Sequence, residues 1–323
     1  MPAITPELLT RFDVPGPRYT SYPTADRFVE AFGEPDYLRA LAQRRSGRGP
    51  LATPLSLYVH VPFCESLCYY CACNKIITRH HDRAAPYLRC LGREVDLHVR
   101  HLGAGQAVSQ LHLGGGTPTF LDDDELAELM AMLRRGFSLV PGGEYSIEVD
   151  PRTVDADRLA TLARLGFNRL SFGVQDFDPL VQKAVHRVQP AEQVFALVEA
   201  ARRIGFESIN VDLIYGLPLQ TPESFDRTLA QVARLRPDRI ALYAYAHLPE
   251  ASSRSGASSP SSCPAPAARW RCWRGRWRRS RRPATSTSAW TTSRCPATPW
   301  PWPSGRAGCT ATFRATAPSP TAT

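Results

Sequence analysis

Leucine, isoleucine, valine, methionine and tyrosine are all missing from the last 73 of the chain's 323 residues. So are lysine, histidine, aspartate, glutamate, asparagine and glutamine. A segment without branched aliphatic side chains cannot build a packed core, so residues 251–323 are expected to be disordered. That stretch also holds twelve arginines and all six tryptophans, which leaves residues 1–250 without any tryptophan. Residues 1–250 carry 27 basic against 30 acidic side chains, a net charge of −3 hidden behind a whole-chain value of +9. That near balance removes any global attraction to nucleic acid. No apolar run reaches the roughly 20 residues of a membrane-spanning helix. The opening Met1-Pro-Ala-Ile-Thr5 lacks the charged and apolar regions of a secretory leader. A cytoplasmic location is expected, and with it thiols that act as ligands rather than as disulfides.

What the first 250 residues do contain is a regular alternation. The proline-dense segment 14–24 reads as an extended arm, since closely spaced prolines fix φ and withhold backbone donors; Tyr19 and Tyr22 point to an arm that docks. A short helix over 36–45 follows, so residues 1–50 form an N-terminal arm and helix. Residues 51–250 form the main domain. Its β-rich apolar runs fall at Leu55–Val61 and at 108–113, 145–149, 169–173, 208–213 and 239–245. Helical spacing fills the gaps. Leu126, Leu129, Met130 and Leu133 share a face behind an acidic start at Asp122. Asp155 and Gly166 bracket a second helix, Gly205 ends a third, and Pro222 suits the first turn of a fourth. Six strands alternating with helices predict a parallel α/β fold, and alternation alone admits either a doubly wound sheet or a partial barrel.

In both architectures chemistry collects at the C-terminal ends of the strands. Strand one runs into Cys64-Glu-Ser-Leu-Cys68-Tyr-Tyr-Cys71-Ala-Cys73-Asn74, and strand two into Gly114-Gly-Gly-Thr-Pro118. The next four end at Glu148-Val-Asp150, Gly173-Val-Gln175-Asp176, Asp212 and Tyr243-Ala-Tyr-Ala-His247. Cysteines spaced C-x3-C-x2-C can hold three irons of a [4Fe–4S] cube and leave the fourth open. Zinc is the alternative, with Cys73 or His60 as the fourth ligand. Cys90 sits in a helical pattern and reads as a small buried side chain. A carboxylate inside an apolar run, as at Asp212, is costly unless it has a task.

The cysteine spacing after strand one resembles the radical S-adenosylmethionine (SAM) superfamily. Within it, C-x3-C-x2-C-x-C-N, the arm P-R-Y-T-S-Y-P-T, L-H-L-G-G-G-T-P-T, G-V-Q-D-F and Y-A-H-L-P resemble the oxygen-independent coproporphyrinogen III oxidase family. The resemblance covers residues 14–250 and implies a partial (β/α)6 barrel. It also implies a [4Fe–4S] cluster on Cys64, Cys68 and Cys71. Tyr58, Gly115 and Glu148 would lie around a first SAM. Tyr70, Gly116, Thr117, Gln175, Arg187, Asp212 and Ala246 would lie around a second. The implied reaction is anaerobic oxidative decarboxylation of two propionates of coproporphyrinogen III to vinyls, giving protoporphyrinogen IX. Electrons would come from a flavodoxin or ferredoxin, and the protein would be a monomer. A haem-carrying relative with the same barrel is the second expectation; such relatives usually lack the Cys73-Asn74 pair and the Tyr19-containing arm.

The tail invites two readings. Its Arg- and Trp-rich stretch 269–277 has the charge and stacking faces of a nucleic-acid-binding segment. Alternatively, its residue types, all served by GC-rich codons, mark a coding frame read out of register near residue 250. Residues 289–296 can be encoded GCA TGG ACC ACT TCG CGC TGC CCG, which displaced by two nucleotides reads Met-Asp-His-Phe-Ala-Leu-Pro. The same displacement lets residues 309–318 read His-Arg-Asn-Phe-Gln-Gly-Tyr-Ser-Thr. Both elements resemble the C-terminal region of the same oxidase family, so this chain is expected to lack a C-terminal domain and to turn over poorly.

Overall fold

The computed structural model describes residue 11, residues 27–45 and 54–245, and the backbone of 289–294 and 313–316. The proline-rich arm, Ala246, His247 and the 269–277 stretch lie outside the described residues. The strands are β1 (Leu55–Val61), β2 (Phe63–Cys64), β3 (Ile76–Ile77), β4 (Gln106–Gly115), β5 (Phe137–Val149), β6 (Arg169–Gln175), β7 (Ser208–Tyr215), β8 (Arg239–Ala244), β9 (Ala289–Arg294) and β10 (Phe313–Thr316). The helices are α1 (Glu34–Arg45), α2 (Ala84–Leu102), α3 (Asp123–Gly136), α4 (Ala156–Arg164), α5 (Pro179–Ala184), α6 (Ala191–Ile204) and α7 (Pro222–Leu235).

Eight strands form one sheet in the order β10-β1-β4-β5-β6-β7-β8-β9. From β1 to β8 every neighbouring pair is parallel. Each crossover therefore steps to the next strand in the same direction, which places the helices on one face and curls the sheet toward a barrel. A doubly wound sheet would reverse its order once, and this one does not. The tail segment β9 lies parallel to β8, and β10 lies antiparallel to β1. Both cover edges that would otherwise present unpaired backbone groups.

Period-two alternation divides the two faces. On β1, Leu55, Leu57, Val59 and Val61 are buried while Ser56, Tyr58 and His60 are half-buried. On β6, Leu170, Phe172 and Val174 are buried while Ser171, Gly173 and Gln175 are not fully so. The buried sets join helix residues such as Leu91, Leu129, Leu159, Val198 and Phe225 in one continuous core. The opposite, concave face is left polar. Its residues include Tyr58, His60, Glu148, Ser171 and Asp212.

Helix ends follow the sequence. Asp122 accepts from Glu125 N in a capping box, Asp155 accepts from Arg158 N, and Gly205 closes α6 in the left-handed region at φ 104°. Thr221 and Ser224 form a second capping box, with Pro222 in the first turn of α7. Strand β5 differs from expectation: it starts at Phe137, eight residues before the run at Tyr145. Pro141-Gly142-Gly143 reads as a turn, but the chain absorbs it as an irregularity between two stretches paired with β4. Helix α1 likewise begins two residues early, at Glu34, and Asp36 turns back to accept from Gly33 N at 2.9 Å.

Phe172 is fully buried between sheet and helices. Phe172→Ala is expected to destabilise the protein by about 3–5 kcal/mol, through lost transfer energy and the cavity left behind. Urea unfolding of the two proteins measures the difference.

Candidate functional site

The cysteine loop is tied to the end of the sheet at both of its ends. Cys64 lies on β2, which pairs with β3 through Phe63–Ile76 and Cys64–Ile77. Ile76 N donates to Pro62 O at 2.7 Å and Thr78 N to Cys64 O at 2.9 Å. The glycine-rich end of β4 is bound on as well: Gly116 N donates to Val61 O at 2.8 Å and Thr117 N to Phe63 O at 2.7 Å. Gly115 has φ 116°, and a Cβ there would fall 2.7 Å from the His60 ring, so both backbone and space require glycine. On the far side, Tyr69 N donates to Val185 O at 3.0 Å, and the Tyr69 and His186 rings stack at 5.2 Å. Tyr70 packs into a small apolar cluster of Val181, Val185, Ile214, Leu217 and Tyr245.

A cavity of about 610 Å³ opens over this loop. Cys64, Cys68, Tyr70, Cys71, Gly115, Gly116, Thr117, Glu148, Gln175, Arg187 and Asp212 all line it. Eleven of the thirteen site positions expected from the sequence thus line one space. A larger groove of about 900 Å³ lies over α4 and contains no cysteine, so the smaller cavity is the candidate site. Tyr58 does not line it. Its hydroxyl meets His60 Nδ1 at 3.1 Å and its ring stacks on His112 at 5.7 Å. It reaches the site through His112, which contacts Ser146 Oγ at 2.6 Å and Glu148 Oε1 at 3.3 Å. Glu148 also accepts from Gly115 N at 3.1 Å, which fixes its carboxylate below the glycine turn.

The three thiols sense one another. Burial raises the Cys64 thiol, and charge on Cys71 and Cys68 raises it further, while Thr117 Oγ1 at 3.5 Å opposes. Cys71 is brought down to about 6 by the Cys73 thiol, against its burial, with Lys75 assisting. Cys73 is pushed up in turn by the same contact. Lys75 Nζ donates to Cys71 O at 2.8 Å and so lies across the loop. His60, the alternative zinc ligand, has both ring nitrogens engaged: Nδ1 by Tyr58 and Nε2 by Asn74 O at 2.8 Å. A soft, all-sulfur donor set with a roomy open side suits an iron–sulfur cluster.

Polar groups aim into the cavity around those sulfurs. Arg187 Nη1 reaches Cys68 Sγ at 3.6 Å and Asp150 Oδ2 at 3.1 Å, and its Nη2 donates to Gly173 O at 2.8 Å. Glycine at 173 leaves room for that guanidinium, since a Cβ would stand 2.9 Å from Nη2. Its Nε is buried without a partner, a donor left for something the cavity receives. Gln175 holds a left-handed φ of 66° beside the β6 bulge, a conformation that costs a residue with a Cβ on the order of 1 kcal/mol and is typical of working sites. Asp212 accepts from Ser171 Oγ at 3.1 Å and Asn210 Nδ2 at 2.9 Å. Burial, then the Glu148 charge, raises its carboxyl to about 7.

Sequence reasoning passed over His112, Ser146, Ser171, Asn210 and Arg152. Each lies on the concave face or just past a strand end, and the alternation of β4 to β7 carries the signal for the first four. Ala246 lies outside the described residues.

A parallel partial barrel with three thiols at the mouth of its first strand defines a class. Residues 58–232 match the Radical SAM superfamily, and the chain belongs to it. The particular relatives narrow the comparison. A Pseudomonas aeruginosa protein named oxygen-independent coproporphyrinogen III oxidase is 54% identical over 246 residues, covering 76% of this chain and 53% of that protein. The Escherichia coli K12 protein of the same name is 53% identical over 242 residues, covering 75% and 51%. The solved structure of the E. coli coproporphyrinogen III oxidase, described as a radical SAM enzyme, superposes with a TM-score of 0.75 at 47% identity. It covers 82% of this chain and 58% of that one. The chain thus spans about half the length of the curated relatives it matches.

The raised carboxyl of Asp212 gives a stability signature. Its folded value of about 7 exceeds the ordinary value of 3.8. Ionisation therefore favours the unfolded chain, and stability falls as pH rises from about 4 to 7. Asp212→Asn, a neutral side chain with one acceptor and one donor arm like the protonated acid, is expected to be more stable than the parent by a few kcal/mol at pH 8 and by little at pH 4. Denaturant unfolding of the cluster-free proteins at both pH values checks this.

Proposed function

We propose that this chain carries the barrel of an enzyme that oxidatively decarboxylates coproporphyrinogen III without oxygen. The observation that supports it most is the meeting, in one cavity, of three thiols with Glu148, Gln175, Arg187 and Asp212. Cys64, Cys68 and Cys71 would hold a [4Fe–4S] cluster and leave one iron open. Cluster and SAM, when bound, supply a carbon radical that removes hydrogen from a substrate propionate, after which CO2 and one electron leave and a vinyl remains. Two such rounds convert coproporphyrinogen III to protoporphyrinogen IX.

The protein's own residues bind and orient. Glu148, held by Gly115 N at one oxygen and His112 at the other, keeps lone pairs suited to an amino or hydroxyl group of a first SAM. Gly115, Gly116 and Thr117 allow backbone to approach it. Arg187, with its spare Nε, suits the carboxylate of a second SAM, and Asp212 suits its ribose. Tyr70 offers a stacking face. The electron donor is a flavodoxin or ferredoxin, the protein a cytoplasmic monomer, and no helix among the described residues is long and apolar enough to cross a membrane.

We also infer that the coding frame changes near residue 250, so that residues 251–323 replace a substrate-covering domain; the residue types absent from that stretch support this. Reconstituted with iron and sulfide, given SAM and reductant, the 323-residue chain is expected to cleave SAM yet release little CO2 from coproporphyrinogen III. The same gene with its frame restored after codon 250 releases CO2 at a rate at least tenfold higher. Equal turnover by both would contradict the frame change. Haem binding without turnover by the restored protein would instead identify a carrier.

A further inference from the structure

Arg152 belongs to none of the groups assigned so far, yet it stands beside a cluster cysteine. Its Nη2 lies 3.9 Å from Cys68 Sγ and donates to Asp150 Oδ2 at 2.6 Å, while its Nε reaches both Asp150 oxygens at 3.0 and 3.2 Å. Arg187 approaches the same sulfur from a second direction at 3.6 Å and shares the same Asp150 Oδ2 at 3.1 Å. Asp150 is buried, as is Arg187. One carboxylate therefore holds two guanidiniums against one sulfur, in a place largely shielded from water.

The charges do not cancel. Two arginines against one aspartate leave one positive charge beside Cys68. Asp150 is held below the usual carboxylate range, because the two arginines outweigh its burial, so its charge persists at neutral pH. A cluster held by three thiolates takes on one more negative charge when reduced. A fixed positive charge at hydrogen-bond range of one ligand sulfur stabilises that reduced form. The other two sulfurs have different partners: Cys64 has the hydroxyl of Thr117, and Cys71 has the Cys73 thiol with Lys75, whose Nζ also donates to the Cys71 carbonyl, so the paired guanidiniums are particular to Cys68.

We propose that Arg152, positioned by Asp150 and paired with Arg187, sets the reduction potential of the cluster by placing a net positive charge at Cys68. Arg152 lines the same cavity but is none of the residues proposed above to bind SAM, and its role is to tune the electron transfer that precedes SAM cleavage. The proposal rests on Cys64, Cys68 and Cys71 holding the cluster. The purified, reconstituted parent tests that first: a parent without the absorption and electron-paramagnetic signals of a [4Fe–4S] cluster would sink the cluster reading itself.

With the cluster present, the test is a redox titration followed by electron paramagnetic resonance in the parent, Arg152→Gln and Arg152→Lys. Arg152→Gln is expected to load iron normally and to titrate at a more negative potential. The reduction equilibrium should weaken by about tenfold, or about 59 mV for one electron. Its SAM affinity, measured by equilibrium dialysis, stays within twofold of the parent. Arg152→Lys, which keeps the charge, restores most of the potential. An Arg152→Gln cluster that titrates with the parent would overturn the proposal, as would an Arg152→Lys cluster shifted as far as the glutamine variant. Should the glutamine variant fail to load iron, a lysine variant that loads and titrates like the parent supports the charge role. Loss of iron in both variants overturns it and makes Arg152 a support of the loop.

Discussion

Three thiolates in one half-buried place repel each other, and the proposed cluster site has to contain that repulsion. Its effect is visible at Cys64, which burial and the charges of Cys71 and Cys68 push up. Each sulfur, or the loop that carries it, has its own counterweight. Thr117 stands at Cys64, Arg187 and Arg152 at Cys68, and Cys73 with Lys75 at Cys71. These counterweights come from the turns after β4 and β5, from the segment after α5, and from the loop itself. A cluster site built this way needs the whole mouth of the sheet, not only the cysteine loop.

That need explains the division of labour between the two faces of the strands. The convex face is uniformly apolar and joins the helices in one core, so it can hold the strand ends still. The concave face is free to be polar. Beneath the cavity, Tyr58, His112, Ser146 and Glu148 form a chain of contacts that fixes the Glu148 carboxylate. On the other side Ser171 and Asn210 do the same for Asp212. Asp150 does it for two arginines. Asp150 and Arg187 are buried, and preorganised charges keep their strength where little solvent reaches them.

Much of this was legible in the sequence. The strand-helix alternation located six strands, and Asp155, Gly205 and Pro222 marked helix ends where the structure has them. The cysteine spacing and the polar strand ends pointed to residues that line one cavity. Three things were not legible, for physical reasons. Strand order distinguishes a barrel from a doubly wound sheet, and order is a property of crossovers that local pattern does not encode. The start of β5 was hidden because Pro141-Gly142-Gly143 has turn chemistry, and only the pairing of the stretches on either side of it with β4 makes one strand of them. Arg152 was hidden because it follows Pro151 in an exposed-looking turn; its value comes from Asp150 two residues before it and Cys68 far along the chain.

The account stands on Cys64, Cys68 and Cys71 being the ligands, with Cys73 a neighbour that tunes Cys71. Iron and sulfide counts on anaerobically reconstituted single variants test that directly. Cys64→Ser, Cys68→Ser and Cys71→Ser should each fall to background, while Cys73→Ser keeps about four iron atoms per chain. Loss of iron in Cys73→Ser to the level of the other three, or a single zinc bound in place of iron in the parent, would contradict it.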